Sequence, residues 1–415
     1  MSPVAESARR TPRQLAEVCV TGIGAVTALG NDAATLHERW VAGEGAVEDG
    51  FGRCTEFVAG ERLSRRHVRR LDRFAQIALY AADEAMEQAG WLEELPSDRH
   101  RIGCVLGTGG GAMTTMLEMY RFFYGESQGH IPPVAPVTAM ANGSCAAIAL
   151  HHQLKGESFA VVAACSAGTQ AIGAAMRLVQ LGQLDAVVTG GTDCCTNDWS
   201  RRAFAATGAL SKTGVARPFD RNRDGFVLGE GGAILTIERR DFAEARGAEI
   251  LADVIGYGSS TDAYNITKPD PTGIAPARAI ESALADAGLQ AGDVDYVNAH
   301  GTASRLNDPS ETLALKAALG EHAYEVPISA PKAAIGHLVG GAGAVESVAT
   351  ISALRARVAP PTLYLTDPDE GLDLDYVPLH AKPLPSRERK EQLIGMNNSF
   401  GLGGHNAIVI FSTDV

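Results

Sequence analysis

The segment SFAVVAACSAGTQAIGAAMRLVQLG, residues 158–182, passes from a short apolar run directly into a helix of small residues. A change from a short apolar run to a helical repeat is typical of a strand followed by a helix. Similar apolar runs predict strands at 18–20, 102–106, 159–163, 186–189, 233–237, 294–297 and 407–411. Helical patterns lie between them at 72–89, 168–181, 274–287, 311–319 and 342–355. This alternation predicts an α/β fold, with helices outside the sheets and in part between them.

Two distant segments of the chain share a similar sequence pattern. GEGGAILTIE at 229–238 and GLGGHNAIVIF at 401–411 each place a glycine turn before an apolar strand, which indicates a duplication. Since 415 residues exceed one simple core and no low-complexity linker intervenes, we predict two halves packed as one body, 16–255 and 256–415. Residues 1–15 are polar and are expected to be disordered.

Composition excludes several classes of function. The chain has 36 basic and 49 acidic residues and a net charge of −13, so its overall field disfavours nucleic acid. It has no apolar stretch approaching the ~20 residues that span a bilayer, and its start lacks a signal-peptide pattern. Seven cysteines without CxxC spacing argue against a disulfide framework or a structural zinc site. We therefore expect a soluble cytoplasmic protein.

One local exception to the acidic balance is a cluster of arginines. Six of them fall within twelve residues, at positions 62, 65, 66, 69, 70 and 73. Such a cluster attracts an acidic partner protein, but it is equally typical of a solvated helix face. The sequence leaves both interpretations open.

Cys165 stands where the apolar run of the opening segment meets its helix. The dipole and free backbone N–H groups of a helix N-terminus stabilise a thiolate, and the small neighbours at 164 and 166–168 leave room for a substrate. A buried structural cysteine is the commoner case, and it is our interpretation of Cys19, Cys104 and Cys145. The position of Cys165 favours a nucleophile.

Two histidines lie in glycine-rich turns. His300 belongs to NAHGT after the predicted strand 294–297, and His337 belongs to GHL shortly after Lys332. Turns that follow strands commonly present catalytic side chains. Taken singly, each histidine would more often be a satisfied or exposed residue. Together with Cys165 they predict a shared site.

Five motifs now carry a resemblance to a known family. They are AACSAGTQ (163–170), ARPFDRNRDGFVLGEG (216–231), NAHGTASRLNDPSET (298–312), PKAAIGHLVGGAG (331–343) and NNSFGLGGHN (397–406). In order and spacing they resemble the signature blocks of β-ketoacyl-acyl-carrier-protein synthases, in particular the elongating group with a Cys-His-His triad. That group includes fatty-acid synthases and the α subunits of type II polyketide synthases. The resemblance implies a thiolase-like fold, in which duplicated βα halves form an α/β/α/β/α body.

The resemblance also implies a reaction, the decarboxylative condensation of an acyl group with a malonyl unit on an acyl carrier protein. Cys165 would carry the acyl group, and the ring N–H groups of His300 and His337 would hold the malonyl thioester oxygen. Two donors aimed at one oxygen stabilise the enolate that decarboxylation leaves. The backbone N–H groups of Cys165 and Phe400 would form a second oxyanion site.

Further residues are assigned by the same resemblance. Lys332 would support the histidines electrostatically, and Glu311 would pair with it, because a buried lysine needs a partner. Phe400 would act as a mobile gate beside a glycine-rich loop. Thr302 and Ser304 would hydrogen-bond the phosphopantetheine arm, with a serine where the family uses a threonine.

The remaining pocket assignments concern substrate choice. Thr267 is assigned to the substrate pocket, and Gly110 to the acyl channel, although its run of glycines also suits a simple turn. Three residues depart from the usual pattern: Leu402 replaces a phenylalanine, Asn265 a frequent histidine, and Gly208 an arginine that often meets the carrier protein. These departures leave the carrier partner and the acyl substrate open.

Alternatives to a housekeeping synthase also remain. The same triad serves a polyketide or polyene synthase subunit that pairs with a catalytically dead partner. A noncatalytic chain-length subunit would lack the active cysteine, and a thiolase would need a second cysteine after Cys195, where this chain has none. We expect no resident cofactor or catalytic metal, an acyl carrier protein as partner, and either a homodimer or a heterodimer with a subunit like a chain-length factor.

Overall fold

The computed structural model describes residues 15–126, 133–384 and 392–414. The predicted disordered segment at the N-terminus lies almost entirely outside these residues. The strands are β1 (Val18–Val26), β2 (Val47–Glu48), β3 (Phe51–Gly52), β4 (Ile102–Gly107), β5 (Ser158–Val161), β6 (Ala186–Cys194), β7 (Leu228–Arg239), β8 (Ala252–Thr261), β9 (Tyr296–Asn298), β10 (Ile328–Ser329), β11 (Val358–Ala359), β12 (Lys382–Pro383), β13 (Gln392–Gly401) and β14 (His405–Asp414).

The helices alternate with these strands as the sequence predicts. They are α1 (Ala33–Val41), α2 (Arg65–Arg70), α3 (Arg73–Gln88), α4 (Met113–Phe123), α5 (Ala135–Thr138), α6 (Gly143–His152), α7 (Ala167–Gln180), α8 (Asp198–Ala206), α9 (Arg240–Ala245), α10 (Ile274–Ala287), α11 (Asn307–Leu319), α12 (Lys332–Ile335) and α13 (Ala342–Ala356). Every predicted strand overlaps an observed one, and α10 has the predicted bounds. No described helix is both long enough and apolar enough to cross a bilayer.

The sheet repeats one topology twice. Its main path has the order β10-β9-β13-β14-β8-β1-β7-β6-β4-β5. The strands of each half can be numbered 1 to 5 along the chain, as β1, β4, β5, β6 and β7 in the first half and β8, β9, β10, β13 and β14 in the second. Across the sheet, both sets then have the order 3-2-4-5-1. In both halves strand 2 is parallel to strands 3 and 4, and strand 5 is antiparallel to strands 4 and 1. The predicted duplication is confirmed. Residue 255 lies within β8, and the boundary there stays a prediction.

The two halves of the sheet face each other across two buried helices. Helix α7 contacts β4 and β6 of the first half and β14 of the second, while α13 contacts β6, β7, β13 and β14. Nearly every residue of α13 is buried, as expected for a helix that is apolar all round. Helix α3 covers β1 and β7, and α10 covers β8 and β14. These contacts give the predicted α/β/α/β/α layers.

Small residues let the central helices approach closely. A Cβ atom on Gly168 of α7 would lie 2.8 Å from the backbone nitrogen of Ala344, and one on Gly343 of α13 would lie 2.1 Å from Thr169 Oγ1. Thr169 Oγ1 also hydrogen-bonds Ser399 Oγ of β13 at 2.7 Å. The apolar small-residue pattern of 158–182 thus serves the packing of the two halves.

Parallel strands place the site at one edge of each half. Because strands 2, 3 and 4 run in the same direction, their carboxyl ends lie together. Cys165 follows β5, His300 follows β9, Lys332 follows β10, and Phe400 stands at the end of β13. The topology therefore brings residues that are far apart in sequence to a common region.

Candidate active site

Cys165 lies in a strained connection between strand and helix. It occupies a 3₁₀ turn, Ala164–Ser166, between β5 and α7. Ala164 has a φ of 49°, a left-handed conformation that is costly for a residue with a side chain. The cysteine is buried. Strain of this kind concentrates at functional sites.

The surroundings of Cys165 do not favour a thiolate. Burial raises the pKa of its thiol to about 11, and the Leu402 N–H and the charge of Lys332 offset this only in part. Burial therefore opposes the predicted thiolate stabilisation, which stays a prediction. The cysteine stands in a 3₁₀ turn two residues before α7, where removal from water outweighs these favourable contacts.

His300 and His337 face each other within the same region. Their ring centroids are 5.4 Å apart with the planes at 83°. The backbone N–H of His300 donates to Glu311 at 2.8 Å, and that of His337 donates to the carbonyl of Val227 at 2.6 Å. Within the described residues, neither buried Nδ1 atom has a hydrogen-bond partner. Both rings thus retain hydrogen-bonding capacity for a bound molecule.

Both histidines are held in the neutral form. Burial lowers the pKa of His300 and of His337 well below the usual range, and the positive charge of Lys332 lowers both further. A neutral imidazole carries one N–H donor and one acceptor nitrogen. At neutral pH the pair can therefore direct two N–H donors toward one oxygen.

Lys332 has a different partner from the predicted one. Its buried ammonium forms an ion pair with Glu346 of α13, whose carboxyl pKa is raised by burial. Glu311 instead accepts the backbone N–H groups of His300 and Gly301, each at 2.8 Å, and burial raises its pKa to about 7. The predicted Lys332–Glu311 ion pair is wrong, because α13 brings Glu346 into contact with the lysine.

Glu346 is the main charged residue at the site that sequence reasoning missed. It stands alone in the apolar pattern of α13, and this was the available signal. A carboxylate within an otherwise buried helix needs a partner of opposite charge.

One cavity contains most of the predicted residues. Cys165, His300, His337 and Phe400 line it together, and the predicted pocket residues Thr302, Ser304 and Thr267 line it as well. Thr302 Oγ1 donates to Ser304 Oγ at 3.2 Å. Thr267 is exposed and its backbone N–H donates to Asn265 Oδ1 at 3.0 Å. The departures Leu402 and Gly208 also line the cavity.

Phe400 lies between the catalytic region and a glycine loop. Its ring is buried, and its centroid is 5.7 Å from that of His300. Gly403 and Gly404, which follow, have φ values of 85° and 78°. The position is compatible with a gate, and that role stays a prediction.

Gly110 is not among the residues that line this cavity. Its backbone N–H donates to Asp193 Oδ1 at 2.9 Å, and a Cβ atom would lie 3.1 Å from Cys195 Sγ. Asp193 also accepts the N–H groups of Gly109 and Gly340, each at 2.7 Å. The glycine run therefore has a clear structural role, and the assignment of Gly110 to the acyl channel stays a prediction.

The arginine cluster divides into two parts. Arg73 forms an ion pair with the buried Glu230 at 2.7 Å, and Arg62 forms one with Glu87 at 2.9 Å. The remaining four arginines lie on the short helix α2, at positions 65, 66, 69 and 70, and are all exposed. Arg62 and Arg73 thus form ion pairs that support the fold, whereas the arginines of α2 remain available to contact a partner.

Comparison with known proteins identifies the family. The model of the β-ketoacyl synthase N-terminal domain matches residues 56–243, and that of the C-terminal domain matches residues 251–366. The chain belongs to the β-ketoacyl synthase family. The resemblance and the predicted thiolase-like fold are confirmed, and the chain is placed among the acyltransferases.

Relatives match along almost the whole chain. The 3-oxoacyl-[acyl-carrier-protein] synthase 2 of Synechocystis sp. is 38% identical over 95% of this chain and 97% of its own. The protein of the same name from Coxiella burnetii is 36% identical over 95% of this chain and 98% of its own.

Solved structures extend the likeness to polyketide enzymes. A type II polyketide ketosynthase in complex with its acyl-carrier protein has a TM-score of 0.86 and 28% identity, covering 97% of this chain and 100% of its own. The ishigamide ketosynthase/chain length factor has a TM-score of 0.88 and 29% identity with the same coverage. A β-ketoacyl synthase from Burkholderia phymatum has a TM-score of 0.87 and 30% identity, again with this coverage.

Proposed function

We propose that this chain condenses an acyl group held on Cys165 with a malonyl unit carried on an acyl carrier protein, in fatty-acid or polyketide biosynthesis. The observation that carries the proposal is the meeting of Cys165, His300 and His337 at one cavity. Lys332 and Glu346 lie buried beside the histidines and hold a fixed charge pair there. This constellation suits thioester chemistry with an enolate intermediate.

The first half-reaction transfers the acyl group. The Cys165 sulfur attacks the thioester carbonyl of the acyl-carrier, the carrier sulfur leaves, and the proton lost by Cys165 is regained by the carrier thiol. Because burial raises the pKa of this thiol to about 11, the reaction proceeds through a small thiolate fraction or with proton loss during attack. The backbone N–H groups of Cys165 and Phe400 are proposed to hold the tetrahedral oxyanion.

The second half-reaction forms the carbon–carbon bond. Malonyl-carrier loses CO₂, and the electron pair released forms an enolate. The enolate oxygen accepts hydrogen bonds from the ring N–H groups of His300 and His337. The enolate carbon attacks the acyl carbonyl on Cys165, the thiolate leaves, and it takes up a proton from solvent. The lowered pKa values of both histidines suit this role, because a neutral imidazole donates a hydrogen bond to the enolate oxygen and keeps its proton. All these donors belong to the protein, so we propose that no resident cofactor takes part.

The carrier would approach from the open side of the cavity. Lys268 and Arg305 line its entrance and are exposed, and Thr302 and Ser304 lie further in. These cations suit the phosphate of a phosphopantetheine arm and the acidic surface of a carrier protein. A solved relative binds its acyl-carrier protein, and we propose the same class of partner here.

A second copy or a related subunit would cover the edge of the sheet. Strand β5 ends the sheet path, and the segment 137–162, which contains it, carries the exposed apolar side chains of Val137, Met140, Leu150 and Val162. An uncovered apolar edge of this kind is typical of a subunit interface. We propose a dimer through β5, in the cytoplasm, where the seven free cysteines of the chain remain reduced.

Replacing Cys165 with alanine tests the proposal most directly. Cys165→Ala should abolish acyl-enzyme formation and condensation while the fold persists, because the side chain is small and makes few contacts. Intact-protein mass spectrometry after incubation with an acyl thioester measures the covalent adduct. An adduct of equal amount in the variant would remove Cys165 from the mechanism. Loss of the fold in circular dichroism would assign it a structural role.

A further inference from the structure

A second cluster of polar side chains lies away from the active-site cavity. Asp83 of α3 and His151 and His152 of α6 place one ligand atom each within 4.8 Å of one another. None of the residues that line the cavity of Cys165 belongs to α2, α3 or α6. The proposed condensation therefore gives this cluster no role.

The ligand atoms of the three side chains lie close together. His152 Nε2 lies 3.0 Å from Asp83 Oδ1, and His151 Nε2 lies 3.9 Å from the same oxygen. The side chain of His152 is only 8% exposed. Neither His152 Nε2 nor Asp83 Oδ1 has a hydrogen-bond partner within the described residues. Buried polar atoms left without partners are costly, and a bound cation would satisfy both.

The surroundings of the cluster also favour a cation. His151 and His152 are the last two residues of α6, whose C-terminal carbonyl groups carry partial negative charge. The ring of His67 from α2 lies against that of His151, with centroids 4.9 Å apart. The Nδ1 atom of His67 is buried and has no partner within the described residues. A further imidazole therefore lies next to His151.

We propose that Asp83, His151 and His152 bind a zinc ion. Two imidazoles and a carboxylate form a ligand set that zinc commonly takes, with a water molecule at the remaining position. Hard cations such as Mg²⁺ prefer all-oxygen sites and should not compete. The ion would join α3 to α6, next to the His67 ring of the arginine-bearing helix α2. The site would be structural, and it is separate from the prediction that catalysis needs no metal.

The proposal is tested by zinc binding to tag-free protein stripped with a chelator. Titration with Zn²⁺ against a chromophoric competitor should give one saturable site per chain. The variants His152→Ala, His151→Ala and Asp83→Ala should each weaken binding by about 100-fold or more, since even outer-shell changes cost ~10- to 100-fold. His380→Ala, an exposed histidine elsewhere, is the matched control and should bind zinc normally.

Two further readouts separate a true site from surface binding. Co²⁺ in the same site should give the visible absorption bands of four-coordinate cobalt, and zinc should raise the melting temperature of the wild type but not of the variants. His151 is the most exposed of the three ligands at 38%, so its variant disturbs packing least. Absence of saturable binding in the wild type, or binding unchanged in His151→Ala and His152→Ala, would overturn the proposal. Acylation of Cys165 should stay normal in His151→Ala and shows that this variant is folded.

Discussion

The two halves of the molecule share a backbone and differ in chemistry. In each, a 3₁₀ turn directly precedes the central helix: Ala164–Ser166 before α7, and Val339–Gly341 before α13. The first residue of each turn is left-handed, with a φ of 49° at Ala164 and 50° at Val339. By this match Cys165 of the first half corresponds to Gly340 of the second.

Equivalent loops after the second strands differ in the same way. After β4, the N–H groups of Gly109 and Gly110 bind the carboxylate of Asp193. After β9, the corresponding loop carries His300, whose backbone is held by Glu311. One half thus carries the proposed nucleophile and a structural loop, and the other carries both histidines. A duplicated scaffold supplies paired positions, and the active site is complete only where the halves meet.

Electrostatics sharpen the contrast between the halves. Burial raises the pKa of the thiol in the first half to about 11 and lowers the pKa of both imidazoles in the second. Removal from water penalises the charged form of each group, so an acid and a base shift in opposite directions. All three groups are neutral near pH 7 as a result.

The largest effect on catalysis after loss of Cys165 itself should come from the histidines of the second half. His300→Ala and His337→Ala should each slow malonyl decarboxylation by ~10²- to 10³-fold, the usual cost of one lost oxyanion donor. Acyl transfer to Cys165 should be affected less, because the proposed N–H donors act on malonyl. Release of CO₂ from malonyl-carrier and the mass of the acyl-enzyme measure the two steps separately. Failed acylation with intact decarboxylation in both variants would reverse the assigned roles.

The matched positions Cys165 and Gly340 should differ sharply in how much an alanine substitution lowers the free energy of unfolding. A Cβ atom on Gly340 would lie 2.3 Å from the backbone nitrogen of Gly109, so Gly340→Ala should reduce the free energy of unfolding by ~3 kcal/mol, the upper range for overpacking. Cys165→Ala removes only one atom and should cost much less. Gly60→Ala is the control, since nothing lies within 4 Å of its Cβ position. Denaturant unfolding compares the three, and equal stability of Gly340→Ala and Gly60→Ala would show that the contact relaxes.

The last test concerns a pH dependence in the unmodified protein. With a pKa of about 11, the thiolate fraction of Cys165 should rise about tenfold for each pH unit from 7 to 10. The rate of iodoacetamide alkylation should rise in parallel, with Cys165→Ala as the background. A plateau reached near pH 7 would instead mean that the helix N-terminus outweighs burial, as the sequence suggested.

The sequence alone specified much of this protein because its signals are local. An apolar run ending at Cys165, glycine turns around His300 and His337, and helices bounded by glycines each depend on neighbouring residues. The pattern shared by 229–238 and 401–411 identified β7 and β14, the fifth strands of the two halves. Five ordered motifs then indicated the family, and they did so before any contact was known.

Only the tertiary structure decided which distant groups meet. Lys332 has two candidate carboxylates, and the packing of α13 between the sheets selects Glu346 over Glu311. The raised pKa of Cys165 likewise depends on burial by both halves. The position of this cysteine before α7, in contrast, is predicted by the local sequence pattern. Chain connectivity fixes neighbours along a helix or strand, but ion-pair choice and desolvation depend on atoms brought together from far apart in the sequence.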